Sequence, residues 1–376
     1  MSAHTHRLTA LLADMEQGMT LEKPDIAWML GRRDLEDTAR LFAAARSVRE
    51  RCFGSQVYFY GFLYFSTHCR NNCRFCRYRR ANTALERYRK TKEEILSAAM
   101  EMAGAGVHLI DLTMGEDPDI VGGTQSQIRE WVEMIRSVGQ HTHLPVMISP
   151  GTLANDVLAD LARAGVIWYA CYQETHNEKL YDSLRPGQDY QHRLSGKYRA
   201  RDLGLLVEEG ILTGVGETAA DLADSIDFMR RFAVDQARVM RFVPQSGIPL
   251  AFTASADREN ELVTIAVMRL VMPDVLIPAS LDVDGLAGLA ERLDAGANVV
   301  TSIVPPLAGL AGVANPVLDI AEAGRSLAKV VPVLHRCGLV PAAAEDYQAW
   351  VANRQALHRR TGFFCHTPDR KTVPCA

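Results

Sequence analysis

The segment from Val57 to Cys76 reads VYFYGFLYFSTHCRNNCRFC, a nearly uninterrupted apolar run that leads directly into three closely spaced cysteines. The apolar half predicts a buried strand. Cys69, Cys73 and Cys76 form a C-x3-C-x2-C pattern with no fourth cysteine nearby. Structural zinc takes four closed ligands, often as two Cys-x2-Cys pairs. Three thiolates instead suit a [4Fe–4S] cluster whose fourth iron stays open. A three-cysteine zinc site completed by a histidine remains the alternative.

Short apolar runs alternate with amphipathic helical runs along most of the chain. Such alternation predicts parallel βαβ units, and eight repeats of it predict an α/β fold, a (β/α)8 TIM barrel. A six-stranded partial barrel is the alternative. The predicted strands are Val57–Phe65, Val107–Thr113, Leu144–Ser149, Val166–Tyr172, Gly210–Gly216, Ala237–Val243, Val275–Ser280 and Ala297–Ser302.

We divide the 376 residues into three parts. Residues 1–55 predict an N-terminal helical extension, because apolar residues recur at helical spacing between Asp37 and Arg49. Residues 56–340 form the predicted barrel. Residues 341–376 hold a short helical run, Ala344–His358, followed by a polar tail.

Composition narrows the class of protein. The formal net charge of −4 argues against a nucleic-acid partner, and no apolar run is long enough to span a membrane. The chain begins without a secretory signal and its eight cysteines show no disulfide framework, so we expect a cytoplasmic protein. Cys365 and Cys375, near His366, leave a second metal site open. Arginines around the cysteine motif favour either a solvated loop or a docking surface for an acidic electron donor; they are Arg70, Arg74, Arg77, Arg79 and Arg80.

Polar residues cluster at the predicted ends of several strands, where a (β/α)8 barrel places its chemistry. A zwitterionic substrate in such a lumen needs both of its charges matched, because unpaired buried charge is costly. Arg238 can hold a carboxylate through two parallel hydrogen bonds, Asp111 and Asp282 can receive ammonium groups, and Ser280 can add a hydrogen bond. The alternative is an internal Arg–Asp network that ties the sixth and seventh strands together.

These features resemble the radical S-adenosylmethionine (SAM) superfamily, in which the three cysteines bind a [4Fe–4S] cluster and SAM binds its open iron. Gly115-Glu116 resembles the family's Gly-Gly-Glu motif, with Met114 in place of the first glycine. The run Gly210–Glu217 resembles its G-x-I-x-G-x-x-E strand, with Leu212 in place of isoleucine. The resemblance implies SAM contacts from Phe75, Tyr78, Met114, Gly115, Glu116, Glu174, Arg193, Gly214 and Glu217.

Within the superfamily, the chain resembles the group of biotin synthases, hydrogenase maturases and methylornithine synthases, and most closely the last. Three segments carry this resemblance: Asp111–Pro118, Arg238–Gln245 and Pro278–Gly285. It implies isomerisation of L-lysine to (3R)-3-methyl-D-ornithine for pyrrolysine biosynthesis, by hydrogen abstraction, fragmentation and recombination. It also implies an electron donor such as ferredoxin or flavodoxin.

Two other interpretations stay open. One is a maturase-type or biotin-synthase-type enzyme that acts on another small amino-acid-like substrate. The other is a non-catalytic barrel stabilised by zinc. For the lysine reaction we expect a buried polar pocket near the open iron, capped by the C-terminal segment or by strand loops, because the fragments must neither escape nor meet water.

Overall fold

The computed structural model describes residues 3–16, 19–31, 34–250, 257–305, 308–310, 312 and 324–361. Its centre is a parallel sheet of short, mostly buried strands. The strands are β1 (Gln56–Ser66), β2 (Leu109–Met114), β3 (Val146–Ser149), β4 (Val166–Ala170), β5 (Leu206–Thr213), β6 (Gln236–Arg241), β7 (Pro278–Ser280), β8 (Val299–Ile303) and β9 (Val340–Pro341).

Eight of these strands form one barrel. They pair in the order β6-β5-β4-β3-β2-β1-β8-β7, and every ladder is parallel. The circle closes between β6 and the approach to β7, where a parallel bridge joins Gln236 to Leu276. The short β9 lies off this path and pairs with the start of β1. The predicted (β/α)8 barrel is therefore confirmed, and the six-stranded alternative is wrong.

Helices surround the barrel and connect its strands. Several start at a threonine that forms a capping box, as Thr91, Thr124 and Thr218 do. No helix in the described part of the chain is long and apolar enough to cross a bilayer. The helices are α1 (Ala3–Glu16), α2 (Lys23–Leu30), α3 (Leu35–Phe53), α4 (Lys92–Ala105), α5 (Pro118–Val121), α6 (Gln125–Thr142), α7 (Asn155–Arg163), α8 (Glu178–Leu184), α9 (Tyr190–Asp202), α10 (Ala219–Phe232), α11 (Arg258–Val271), α12 (Leu281–Asp284), α13 (Leu289–Asp294), α14 (Leu327–Arg336) and α15 (Ala344–Thr361).

The first three helices lie outside the barrel. Helix α2 packs against α10 and α11, and α3 packs against α11. The α3 N-terminus is capped by Asp34, whose carboxylate accepts a hydrogen bond from the Asp37 amide. A salt bridge of 2.7 Å joins Lys23 of α2 to Asp224 of α10. The N-terminal extension therefore adds a layer to the outer helical ring and leaves the strand ends open.

The last helix, α15, closes the end of the barrel at which the strands begin. The Tyr347 hydroxyl donates to the Tyr60 hydroxyl at 2.8 Å. The Trp350 ring stacks on Trp168 of β4, with ring centroids 6.0 Å apart. Residues 344–361 thus do not cap the mouth where the strands end, so this part of the C-terminal segment is not the predicted cap. The tail beyond it lies outside the described residues.

One predicted strand is shifted along the chain and overlaps the observed strand only from Gly210 to Thr213. The prediction was Gly210–Gly216, whereas β5 spans Leu206–Thr213. The adjacent charges of Glu208 and Glu209 interrupt the apolar pattern, so the first half of the strand was missed. Both carboxylates are fully buried, on opposite faces of the sheet. The other strand predictions overlap the observed strands, and the β5 shift matters because it hid a residue of the lumen.

The contact between α15 and the barrel predicts a cooperative fold. Tyr347→Phe should lower the free energy of unfolding by about 1–3 kcal/mol, because the buried Tyr60 hydroxyl loses its partner. Tyr347→Ala should cost about 3–5 kcal/mol, because the ring also leaves a cavity. Urea unfolding of the apoprotein, followed by circular dichroism, measures both. A separate early transition for α15 would contradict this prediction and would support an independent C-terminal unit.

Candidate active site

A cavity of about 190 Å³ lies at the ends of the strands, and the loop that follows β1 forms part of its wall. All but three of the residues predicted for the site line this cavity. The three that do not are Gly214, Glu217 and Ser280. Those that do are Cys69, Cys73, Phe75, Cys76, Tyr78, Asp111, Met114, Gly115, Glu116, Glu174, Arg193, Arg238 and Asp282.

One arginine holds the loop that carries the cysteines, which we call the cysteine loop (residues 67–82). Arg87 donates to the backbone carbonyl of Thr67 at one end of the loop. It also donates to the carbonyls of Tyr78, at 2.8 Å, and Arg79, at 2.6 Å, near the other end. A single guanidinium therefore ties the two ends of the loop together and fixes where the cysteines lie.

The cysteine sulfurs lie in surroundings that suit a bound cationic metal cluster. Two side chains donate hydrogen bonds to Cys73 Sγ: Gln188 Nε2 at 3.0 Å and Arg185 Nη1 at 3.4 Å. Burial raises the pKa of the Cys69 and Cys76 thiols. Thiolates at those positions consequently need the positive charge of bound metal, as iron supplies.

A [4Fe–4S] cluster and a single zinc ion need different arrangements of the cysteine sulfurs. No three His, Cys, Asp or Glu side chains within the described residues converge as one metal ion requires. Zinc needs its ligands at about 2.0–2.3 Å from a single point, whereas a [4Fe–4S] cluster binds each thiolate to a different iron. The described residues therefore give no support to the three-cysteine zinc alternative. Cys365, His366 and Cys375, the other suggested metal site, lie outside the described residues.

Glu116 lies beside the cysteine loop in a dense set of hydrogen bonds. Its carboxylate receives Arg193 Nη1 at 2.9 Å, Arg70 Nε at 3.1 Å and the Thr152 amide at 3.1 Å. Burial alone would raise its pKa, but the charge of Arg193 and the hydrogen bonds lower that pKa to about 2. A Cβ on Gly151 would come within 2.2 Å of the Glu116 side chain, so only glycine fits there. Glu116 is therefore a fixed anion paired with a fixed cation.

A second buried ion pair, Glu174 with Arg185, also lines the cavity. Glu174 accepts a hydrogen bond from Arg185 Nη2 at 2.9 Å. The Arg185 guanidinium also lies 5.0 Å from the centre of the Phe75 ring. Glu174 has a positive φ of 70°, which is uncommon for a residue other than glycine and is often found at functional sites. Arg185 thus links the predicted SAM residues Glu174 and Phe75 to the sulfur of Cys73.

Deeper in the barrel, Arg238 already has a partner before any substrate binds. Its Nε donates to Glu208 of β5 at 2.7 Å, and its Nη1 donates to Thr301 of β8 at 3.0 Å. Its Nη2 has no hydrogen-bond partner among the described residues. Only Nη2 therefore remains to donate to a substrate carboxylate, and the predicted pair of parallel hydrogen bonds is not possible with Arg238 in this arrangement. The suggested network between the sixth and seventh strands is also wrong for Arg238, since its acidic partner lies on β5.

Only one of the two carboxylate oxygens of Asp111 accepts a hydrogen bond from the described residues. Asp111 is fully buried, and its Oδ1 accepts a hydrogen bond from the Ser149 hydroxyl at 2.8 Å. Its Oδ2 has no partner within the described residues. Burial raises the pKa of Asp111 to about 7, and the negative charge of Glu208 adds to this effect. Near neutral pH this carboxyl group can therefore be either a donor or an anion.

Asp282 and Ser280 have different surroundings although they are neighbours in the chain. The Tyr64 hydroxyl lies 2.9 and 2.8 Å from the two Asp282 oxygens, and Arg325 Nη1 donates to Oδ1 at 2.6 Å. The Ser280 hydroxyl instead accepts a hydrogen bond from the Asp282 amide at 3.2 Å and so caps α12. Asp282 lines the cavity as part of an ion pair, whereas Ser280 shapes the turn that positions it.

Gly214 and Glu217 form a turn after β5 that does not reach the cavity wall. The Glu217 carboxylate accepts hydrogen bonds from the amides of Gly214, at 2.7 Å, and Val215, at 2.9 Å. Gly214 has a φ of 83°, a conformation that favours glycine. The local role of this carboxylate is to shape its own turn, and its contact with SAM stays a prediction.

The sequence did not point to the partners of the predicted residues. Glu208 lies in the half of β5 that the prediction missed. A charged residue within an apolar run could have marked it as a residue of the lumen. Arg185 and Gln188 reach Cys73 across 112 and 115 residues of chain, so no local pattern connects them. Arg325 follows a stretch outside the described residues and carries no motif.

Comparison with known proteins agrees with this geometry. The profile of the radical SAM superfamily matches residues 63–229. The 3-methylornithine synthase of Methanosarcina barkeri is 41% identical over 89% of this chain and 94% of its own length. The [FeFe] hydrogenase maturase subunit HydE of Thermotoga maritima is 32% identical over 69% of this chain and 74% of its own length. The crystal structure of methylornithine synthase (PylB) superposes with a TM-score of 0.85 at 41% identity, covering 90% of this chain and 99% of that one.

The contact between Gly115 and the cysteine loop generates a prediction. A Cβ at this position would lie 2.3 Å from the His68 carbonyl oxygen and 2.8 Å from Cys69 Cβ. Gly115→Ala should therefore displace the loop and reduce iron incorporation by more than half, while the barrel stays folded. Gly104→Ala in α4 is the matched control, because nothing lies within 4 Å of its added Cβ. Iron analysis after anaerobic reconstitution tests this, and equal iron contents in the two variants would contradict it.

Proposed function

The chain belongs to the radical SAM superfamily and, within it, to the family of the 3-methylornithine synthases, and on this basis we propose that it isomerises L-lysine to (3R)-3-methyl-D-ornithine. It is a radical SAM enzyme, and its cofactors are a [4Fe–4S] cluster and SAM. The observation that carries the substrate assignment is a single cavity that joins the three cysteines to Arg238, Asp111 and Asp282.

Cys69, Cys73 and Cys76 would hold the cluster, which would supply the one-electron reduction of SAM from which a hydrogen-abstracting radical derives. The protein's part is to hold SAM and substrate in one orientation. Glu116 and Arg193 offer opposite charges side by side, which suits the amino and carboxylate groups of SAM. The remaining SAM contacts that we propose are Phe75 and Tyr78 beside the adenine, the backbone of Met114 and Gly115, Glu174, and the turn of Gly214 and Glu217.

The deep end of the cavity suits lysine, which carries two ammonium groups and one carboxylate. The open Nη2 of Arg238 is our choice for the carboxylate. Asp282 is our choice for the α-ammonium side, with Ser280 holding the turn that presents it. The open Oδ2 of Asp111 is our choice for the other ammonium group. Anchoring at both ends would leave one chosen carbon exposed to the radical.

Enclosure supports a reaction in which the substrate is broken and rejoined. The cavity walls include the rings of Phe62, Tyr172 and Phe242 together with the Met240 side chain. Apolar walls keep water from the fragments and hold them at high effective concentration. At the opposite end of the barrel, α15 packs against β1 and β4 through Tyr347 and Trp350.

We also propose that an acidic ferredoxin or flavodoxin delivers the electron at the arginine-rich surface of the cysteine loop. Arg74 and Arg80 are exposed there, and electrostatic attraction to an acidic protein speeds encounter. A cytoplasmic location would suit such a donor and the unpaired cysteines of the described chain.

Lysine turnover tests the proposed reaction. The cluster-loaded enzyme with SAM, L-lysine and a reductant should form methylornithine anaerobically, and deuterium at the fourth carbon of lysine should appear in 5′-deoxyadenosine. Arg238→Met and Asp282→Asn should each raise the activation free energy by about 2–5 kcal/mol, because a buried charge loses its partner. That change lowers kcat/KM at least about thirtyfold.

Three controls sharpen this test. Iron content and SAM binding should stay near wild type in both variants. Arg238→Lys, which keeps a charge beside Glu208 but loses the planar Nη2, should fall between wild type and Arg238→Met. Normal turnover in both variants would refute the assigned contacts, and wild-type enzyme that ignores lysine but converts another amino acid would refute the reaction.

Donor docking has its own test. The double variant Arg74→Glu and Arg80→Glu should slow cluster reduction by flavodoxin about tenfold or more at low salt, because the attraction becomes repulsion. Reduction by dithionite should not change, since that small reductant needs no docking surface. Arg163→Glu on α7, an equally exposed site on the outer ring, is the matched control. An unchanged flavodoxin rate would place the docking surface elsewhere.

A further inference from the structure

We propose that Glu208, through its pair with Arg238, makes Asp111 hold a proton in the empty cavity and release it to solvent when L-lysine binds. This inference rests on the proposed function and deepens it, because it names the residue that matches the charge of the pocket to that of the substrate. Glu208 acts on lysine through Arg238 and Asp111 and is therefore a positioning residue.

Among the described residues, the charged side chains at the deep end of the cavity balance without Asp111. Arg241, which also lines the cavity, is paired with Asp284. Arg238 is offset by Glu208 at 2.7 Å, and Arg325 is offset by Asp282 at 2.6 Å. An ionised Asp111 would therefore leave one net negative charge in the empty lumen. Lysine at neutral pH carries one net positive charge, so the ionised pocket complements lysine and the protonated pocket complements the empty state.

Geometry decides which of the two carboxyl groups holds the proton. Glu208 accepts hydrogen bonds from Arg238 Nε at 2.7 Å and from the Tyr172 hydroxyl at 2.9 Å, and both stabilise its anion. Asp111 accepts a hydrogen bond from the Ser149 hydroxyl on Oδ1, and its Oδ2 has no hydrogen-bond partner among the described residues. Glu208 is hydrogen-bonded to the Arg238 guanidinium and Asp111 is not. Two carboxyl groups that repel one another do not both ionise easily. The proton therefore resides on Asp111.

The groups that face Asp111 support this assignment. Thr113 lies two residues along β2, Ser149 approaches from β3, Tyr172 from the end of β4, Glu208 from β5 and Arg238 from β6. Burial, together with the charge of Glu208, raises the pKa of Asp111 to about 7, against the opposing effects of the Ser149 and Thr113 hydroxyls and of the Arg238 charge. An ammonium group at Oδ2 would favour the ionised form and expel the proton.

The affinity for lysine should rise as the pH is raised towards 7. Below about pH 7 lysine must displace a proton from Asp111, so its affinity should fall about tenfold for each further pH unit. Well above pH 7 the carboxylate is already ionised, and binding should be independent of pH until lysine's own ammonium groups titrate.

Isothermal titration calorimetry measures this proton directly. L-Lysine is titrated anaerobically into cluster-loaded, SAM-saturated enzyme that is kept oxidised so that no turnover occurs. Comparing two buffers of different ionisation enthalpy gives the protons released per lysine bound. We expect about one at pH 6 and nearly none at pH 8, with a dissociation constant about tenfold larger at pH 6.

Three variants separate the roles. Asp111→Asn should abolish proton release at both pH values. Glu208→Gln should abolish most of it at pH 6 although Asp111 is present, because the charge that keeps the proton is gone. Glu209→Gln is the matched control, since Glu209 lies on the other face of β5 and pairs with Lys197 at 2.8 Å; its proton release should match wild type.

The outcomes distinguish this inference from the proposed function. Lysine binding without proton release at pH 6, or undiminished release in Glu208→Gln, would overturn the role of Glu208. Failure of lysine to bind at either pH would refute the lysine assignment itself. If Glu208→Gln does not fold, infrared difference spectroscopy decides: a protonated carboxyl band should disappear on lysine binding in wild type and be absent from Asp111→Asn, and a wild-type spectrum without that loss overturns the proposal.

Discussion

Charge buried inside a closed barrel must be compensated within the barrel, and this constraint governs the whole lumen. A parallel barrel excludes water from its interior, so an unpaired ion there is costly. The structure meets the constraint with ion pairs that reach between elements, such as Glu208 with Arg238, and by leaving Asp111 free to take a proton. These pairs fix the side chains before ligand arrives, and the cavity is thereby preorganised.

The same constraint separates the two regions of the cavity. Near the cysteine loop, Glu116 with Arg193 and Glu174 with Arg185 present fixed pairs of opposite charge. A zwitterionic ligand can replace or extend such a pair without changing the net charge. The deep end faces a ligand of net positive charge if that ligand is lysine, and fixed pairs alone cannot balance it. A titratable carboxyl group solves this second problem, and Asp111 is placed to do so.

Sequence patterns predicted the barrel and the cysteine loop better than they predicted which side chains contact the site residues. Hydrophobic alternation and the cysteine spacing predicted the barrel and the loop, because both signals are local in the chain. Contacts such as Gln188 to Cys73 join distant segments and leave no local trace. Where a predicted residue has another role, local geometry explains it, since Ser280 caps a helix and the Glu217 carboxylate shapes its own turn. Site residues that belong to one continuous motif could therefore be predicted from the sequence. Contacts between residues on distant segments could not.

The C-terminal helix shows how a distant segment shapes the chemistry of the lumen. Tyr347 of α15 and Tyr60 of β1 form a buried aromatic layer at the end where the strands begin, and both interact electrostatically with Glu208. Tyr60, Tyr347 and Glu208 are all fully buried. Because screening is weak in such surroundings, we expect the charge of Glu208 to act strongly on Asp111. A helix that contributes no side chain to the cavity wall therefore helps to set the protonation of the residue that we propose receives the substrate's ammonium group.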